Sequence, residues 1–140
     1  MSSRVSWAVI RCMDGRLNKP IADYLNEKGL PEVHDLISIP GGPKDLIDDE
    51  DGEKGLFRAI SDVAIFLHKI ENILLVQHTD CGAYGGREKC GGDERSDFHF
   101  HLDQLHLAEK AIKNAFPQLN VSSILIHFLD DEQIQLFRVS

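Results

Sequence analysis

The sequence contains no apolar run that approaches the length needed to cross a membrane, and no signal-peptide pattern precedes its first predicted strand. It has only 3 cysteines, an odd number that does not indicate a disulfide framework. Reduced thiols are typical of cytoplasmic proteins. We therefore expect a cytoplasmic protein with no membrane partner.

Clusters of lysine and arginine are also missing. The net charge is −8, and no basic patch indicates a surface that follows a phosphate backbone, so nucleic acid is not expected as a partner. The turn Gly41-Gly42-Pro43-Lys44 lacks the Gly-Lys-Ser/Thr ending of a phosphate-binding loop. The acidic run at residues 48–53 lacks the alternating oxygen ligands of a calcium loop, and we interpret it as a solvated loop.

The pattern of apolar residues predicts the fold class. The chain of 140 residues is 42% hydrophobic and 27% charged, which is typical of one globular domain with its own core. Apolar runs predict strands at residues 5–11, 33–39, 73–76, 121–128 and 133–139. Helical spacing predicts helices at residues 20–28, 54–69 and 97–116. We predict a single α/β domain over residues 1–140, a mainly parallel sheet flanked by helices with an antiparallel C-terminal edge strand.

Candidate metal ligands follow two of the predicted strands. Cys12 comes after the first strand, and His78 and Cys81 come after the third. Because ligands collect at the carboxyl ends of the strands in an open parallel sheet, these side chains can meet around one ion. Thiolate and imidazole together favour zinc, and three protein ligands leave a fourth position open, as in catalytic sites. The alternative is a buried core histidine beside a buried cysteine.

Asp14 and Arg16 alternate along the extension of the first strand. They can project the same way and pair through a two-pronged hydrogen bond. The alternative is a surface salt bridge, which contributes little to stability. Beside a zinc-bound water, the carboxylate would accept a hydrogen bond and the arginine would keep it oriented and ionised.

Other histidines and the remaining cysteine are weaker candidates. We interpret His99, His101 and His106 as polar residues on the face of the last helix, with a proton shuttle or a second metal site as alternatives. Cys90 lies in a glycine-rich stretch that we predict to be a flexible surface segment carrying a free thiol. His127 alternates within a strand and is predicted to be a core or edge residue.

The combination of motifs resembles the β-class carbonic anhydrases. The residues are Cys-x-Asp-x-Arg at 12–16 and His-Thr-Asp-Cys-Gly-Ala at 78–83, and the order of strands and helices agrees over nearly the whole chain. The resemblance implies that Cys12, His78 and Cys81 bind zinc and that Asp14 and Arg16 form the catalytic dyad.

The resemblance also implies a zinc lyase that reversibly hydrates carbon dioxide to bicarbonate by zinc-bound hydroxide, in a homodimer or higher homo-oligomer with its zinc sites near the interface. Two positions depart from the usual pattern. Ser38-Ile39-Pro40-Gly41-Gly42 stands where an Arg-Asn-Ala-Gly run is usual, and Gln77 stands where glycine is usual. The alternatives on the same scaffold are hydrolysis of a related small electrophile, such as carbon disulfide or carbonyl sulfide, and zinc binding without catalysis.

Overall fold

The structure is a computed structural model that describes residues 5–31, 33–48 and 55–140. The described residues form one sheet of five strands in the order β2-β1-β3-β4-β5. The strands are β1 (Trp7–Cys12), β2 (Asp35–Ile39), β3 (Asn72–His78), β4 (Asn120–Phe128) and β5 (Ile134–Arg138). The first four are parallel, and β5 pairs with β4 in the antiparallel direction. The predicted α/β class and the antiparallel edge strand are confirmed.

The helices cover both faces of this sheet. They are α1 (Asn18–Glu27), α2 (Lys44–Asp48), α3 (Gly55–Arg58) and α4 (Glu94–Ala115). Alternate strand residues enter two different cores: Ile73 and Leu75 pack under α2, α3 and α4, whereas Leu74 and Val76 pack under α1. Burial on both faces explains why β1, β3 and β4 contain continuous apolar runs. No described helix has the length and apolar character of a membrane-spanning segment.

The predicted helix at residues 54–69 is only partly correct. After α3, the chain continues as a π-helix over Ala59–Ile65, in which the N–H of Phe66 donates to the carbonyl of Ser61. The wider turns of a π-helix change which residues share a face. Ile60 faces the core as predicted, but Val63 and Leu67, which we predicted to point inward, are exposed.

The last helix begins earlier than predicted. Asp93 is its N-cap, and its carboxylate accepts a 2.8 Å hydrogen bond from the backbone N–H of Ser96. The helix ends at Ala115, just before Pro117. Apart from Asp48, which ends α2, the acidic run at residues 48–53 lies outside the described residues, so the solvated-loop interpretation stays a prediction.

Candidate metal centre

The candidate metal ligands meet at the carboxyl ends of two adjacent strands. Cys12 is the last residue of β1, His78 is the last residue of β3, and Cys81 follows three residues later. The Sγ atoms of Cys12 and Cys81 are 4.0 Å apart. One donor atom from each of the three residues lies within 4.8 Å of the other two, and all three side chains are buried. The parallel pairing of β1 with β3 thus brings together the residues that the sequence placed at one sheet edge.

The turn after β2 packs directly on Cys12. The backbone N–H of Gly41 donates a 3.3 Å hydrogen bond to Cys12 Sγ. Gly42 has a positive φ of +52°, and a Cβ atom there would lie 2.6 Å from the carbonyl carbon of Arg11. Only glycine allows this close approach of two backbones. Gly42 therefore lets the turn pack against Cys12, and the N–H of Gly41 stabilises the thiolate of Cys12.

His78 presents one free nitrogen. Its Nδ1 lies 2.7 Å from the backbone carbonyl oxygen of Thr79, which can only accept a hydrogen bond. The proton therefore sits on Nδ1, and Nε2 keeps its lone pair. Nε2 is buried and has no hydrogen-bond partner. Because a buried polar atom without a partner is costly, this nitrogen fits a metal ligand, and the carbonyl contact is the usual second hydrogen bond of such a histidine.

The contact between the two thiol groups shifts their pKa values in opposite directions. The hydrogen bond with Cys81 lowers the pKa of Cys12. The same contact, together with burial, raises the pKa of Cys81. Two thiolates at this separation repel each other, and a divalent cation between them removes that repulsion and ionises both. The donor set therefore fits a thiophilic divalent ion.

Asp14 and Arg16 form the predicted two-pronged pair. Arg16 Nη2 donates to Asp14 Oδ2 at 2.7 Å, Arg16 Nε donates to Oδ1 at 3.2 Å, and the Arg16 backbone N–H donates to Oδ1 at 2.9 Å. These hydrogen bonds hold the pKa of Asp14 below its usual value. The Cys12–His78–Cys81 donor group does not include Asp14, whose carboxylate is engaged by Arg16.

Arg16 has two further partners that sequence reasoning missed. Its Nη2 donates to the backbone carbonyl of Asp80 at 3.0 Å, and its guanidinium lies 4.2 Å from the centre of the Phe128 ring. Asp80 lies between the two candidate ligands of the 78–83 motif, so its position in the sequence could have indicated this contact. Phe128 gave no such signal, because it reaches Arg16 only through the pairing of β4 beside β3.

The structure corrects two predictions about residues outside this centre. His101 does not lie on a polar face of α4: its side chain is completely buried and contacts Gln77 of β3, whereas His99 and His106 are exposed as predicted. Cys90 is a free thiol as predicted, but it is buried in a 3-10 turn (Arg87–Cys90) rather than in a surface segment. His127 is buried in β4, as expected for a core residue.

The fold and this donor group define an α/β protein with a candidate thiolate–imidazole metal centre at the carboxyl edge of its sheet. The chain belongs to the family described as "Putative carbonic anhydrase", whose model it matches over residues 2–137. The resemblance to β-class carbonic anhydrases inferred from the motifs is thereby confirmed.

Individual proteins are similar to this chain in sequence or in fold. An uncharacterized protein of Rickettsia bellii is 30% identical over 132 residues, covering 89% of this chain and 77% of the relative. The β-carbonic anhydrase isoform I of Trichomonas vaginalis superposes with a TM-score of 0.57 at 14% identity, over 97% of this chain and 86% of that one. A tetrameric β-carbonic anhydrase of Sordaria macrospora gives 0.58 at 13% identity, over 99% and 84%. At these identities, the structural likeness is one of fold.

Proposed function

We propose that this protein is a zinc-dependent carbonic anhydrase, a lyase that reversibly hydrates carbon dioxide to bicarbonate. The observation that carries the proposal is the buried Cys12–His78–Cys81 donor group beside the Asp14–Arg16 pair. Membership of the family described as putative carbonic anhydrases supports it, as does the fold shared with β-carbonic anhydrases.

Cys12 Sγ, Cys81 Sγ and His78 Nε2 would hold the zinc ion. Two sulfur donors and one imidazole nitrogen favour zinc over magnesium or calcium, which prefer oxygen ligands. When bound with an open fourth position, zinc supplies a strong nucleophile at neutral pH and acts as a Lewis acid. The Thr79 carbonyl fixes the ring of His78, and the Gly41 N–H fixes the sulfur of Cys12, so the ligands are oriented before any ion binds.

Asp14 would orient the nucleophile. Arg16 keeps its carboxylate ionised, so Asp14 can only accept a hydrogen bond, and it would accept one from a nucleophile held at the donor group. Arg16 keeps this carboxylate in place and prevents it from turning towards the donor group. The contacts of Arg16 with Asp80 and Phe128 hold the guanidinium itself.

Stopped-flow measurement of carbon dioxide hydration on zinc-loaded protein tests the function. We expect a rate far above that of buffer, and Cys12→Ser, His78→Ala and Cys81→Ser should each lose about one equivalent of zinc together with activity. His99→Ala, which changes an exposed residue of α4, is the control and should retain both. A rate no better than buffer with zinc fully bound would refute the proposal and favour a sulfur-analogue hydrolase or a non-catalytic zinc protein.

We further propose a homodimer or a higher homo-oligomer. Exposed apolar side chains lie on both edge strands: Leu36 on β2, and Ile134 and Phe137 on β5. Exposed apolar sheet edges are normally covered. The tetrameric enzyme of Sordaria macrospora supports the same expectation. Sedimentation velocity at working concentration measures the assembly, and a strictly monomeric species that is fully active would contradict it.

A further inference from the structure

We propose a second metal site, for zinc or a similar first-row divalent ion, formed by Cys90, Asp97 and His101. One donor atom from each residue lies within 4.8 Å of the other two, and all three side chains are buried. The site is distinct from the Cys12–His78–Cys81 centre. Successive residues of β3 point to opposite faces of the sheet, and it is Gln77, not His78, that contacts His101 of α4.

The backbone places the three side chains together. Asp97 and His101 are four residues apart near the start of α4, so they share one face of that helix. Cys90 ends the 3-10 turn that packs on the same helix. Gly91 follows with a φ of +102°, and a Cβ atom there would lie 2.3 Å from Cβ of Ser96. This close packing holds the sulfur of Cys90 against the first turns of α4.

Two buried atoms of this cluster have no hydrogen-bond partner. Asp97 Oδ1 and His101 Nε2 lie 3.3 Å apart but do not form a hydrogen bond. Both residues are completely buried. Unpartnered polar atoms at full burial are rare, because neither water nor protein offsets their loss of solvation. A cation bound to both atoms would satisfy them at once.

The other polar atoms of Asp97 and His101 already have hydrogen-bond partners, as expected for metal ligands. Asp97 Oδ2 accepts hydrogen bonds from the backbone N–H of Asp80 at 2.8 Å and from Arg87 Nε at 2.9 Å. His101 Nδ1 lies 2.8 Å from the side-chain amide of Gln77. When the side-chain amide of Gln77 is rotated by half a turn, its oxygen, which is also buried without a partner, accepts a hydrogen bond from His101 Nδ1–H. The lone pair of His101 Nε2 is then left for the ion.

The donor chemistry indicates the class of ion. A thiolate excludes magnesium and calcium, and a mixed sulfur, oxygen and nitrogen set is typical of zinc. Burial and the neighbouring Asp97 raise the pKa of Cys90, so its thiol keeps its proton until an ion binds. Binding breaks the S–H bond, releases that proton to solvent and forms the sulfur–metal bond, while Asp97 and His101 bind as carboxylate and neutral imidazole.

A metal here would brace the segment that holds Arg16. It joins the Arg87–Cys90 turn to α4 through Cys90, Asp97 and His101. Asp97 also binds the backbone of Asp80, whose carbonyl accepts a hydrogen bond from Arg16. The ion would therefore link the segment that holds Arg16 to α4, and none of its ligands belongs to the first centre.

Metal analysis of the wild-type protein tests the proposal without any measurement of activity. We expect about two equivalents of zinc per chain, falling to one in Cys90→Ser and to one in Cys12→Ser. His99→Ala, also on α4 but exposed, should keep both. A single equivalent that Cys12→Ser removes and Cys90→Ser leaves unchanged would overturn the second site. Loss of catalysis with two bound ions would instead bear only on the proposed function.

Cobalt(II) titration of Cys12→Ser/Cys81→Ser isolates the second site. We expect a sulfur-to-cobalt charge-transfer band that saturates at one ion per chain and is abolished by adding Cys90→Ser. A correctly folded double variant without that band would contradict the proposal. Should the double variant fail to fold by circular dichroism, the zinc count of wild type and Cys90→Ser decides the question.

Discussion

Substitution of Arg16 by alanine separates a functional role of the Asp14–Arg16 pair from a structural one. In the structure, three Arg16 N–H groups, two on the side chain and one on the backbone, donate to the Asp14 carboxylate. The substitution removes the two side-chain donors. Asp14 lies only two residues from Cys12, and a carboxylate is an acceptable zinc ligand. We expect the freed carboxylate to occupy the fourth position of the ion and exclude the nucleophile.

The expected loss of stability is small. The Arg16 and Asp14 side chains are 44% and 20% exposed, so their ion pair contributes at most about 1 kcal/mol to the free energy of unfolding. The contact of the guanidinium with the Phe128 ring adds roughly 0.5–1 kcal/mol. By contrast, loss of a preorganised polar group at a reacting centre costs on the order of 100-fold or more in kcat, about 2.7 kcal/mol.

The assay combines three measurements on each variant. Arg16→Ala should retain zinc and most of its stability in urea denaturation, yet lose about 100-fold or more in the rate of carbon dioxide hydration. Arg16→Lys should restore little, because an ammonium group cannot reproduce the planar fork. Arg58→Ala, which breaks the exposed Arg58–Asp62 ion pair, is the matched control and should retain full activity.

Two results would refute this reasoning. If Arg16→Ala kept turnover within about twofold of wild type, the change in activation free energy would be below about 0.5 kcal/mol, and the pair would be an ordinary surface ion pair. If the variant lost its zinc, Arg16 would support the metal ligands rather than restrain Asp14. A zinc absorption spectrum near neutral pH shows directly whether a carboxylate oxygen has joined the ligands.

Three further predictions concern the support of the site. Thr79→Val should reduce the free energy of unfolding by about 1–3 kcal/mol in urea, because the buried hydroxyl accepts a 2.8 Å hydrogen bond from the Phe128 N–H, whereas Thr79→Ser should cost clearly less. Gly42→Ala should weaken zinc binding, measured by chelator competition, because the added Cβ would clash with the backbone of β1. Gly29→Ala is the control, since Gly29 also has a positive φ but a Cβ there would lie in open space, and it should leave zinc affinity unchanged. Equal effects of the two substitutions would contradict this explanation. Burial lowers the pKa of His127, so the folded state binds fewer protons than the unfolded state. The free energy of unfolding should therefore fall as the pH falls through the ordinary histidine range. His127→Asn should reduce that fall, and a pH profile unchanged by the substitution would contradict the prediction.

The described fold was predictable in outline because its signals are local. Burial of the central strands on both faces requires unbroken apolar runs such as Ile73 to Val76, and these stand out in the sequence. The donor residues follow those runs directly, so a parallel sheet places them at the same edge. The local spacing of Asp14 and Arg16 likewise determined their pairing.

The structure decided the features that depend on contacts between distant segments. The π-helix turned Val63 and Leu67 outward, although their spacing matches an α-helical core face. His101 is buried because α4 packs that side on the sheet, and a histidine in a polar-looking stretch gives no local sign of this. Arg16 meets Phe128 only because β4 pairs beside β3. Sequence periodicity fixes how residues are spaced along one element, whereas burial and the choice of partner depend on which other elements pack against it.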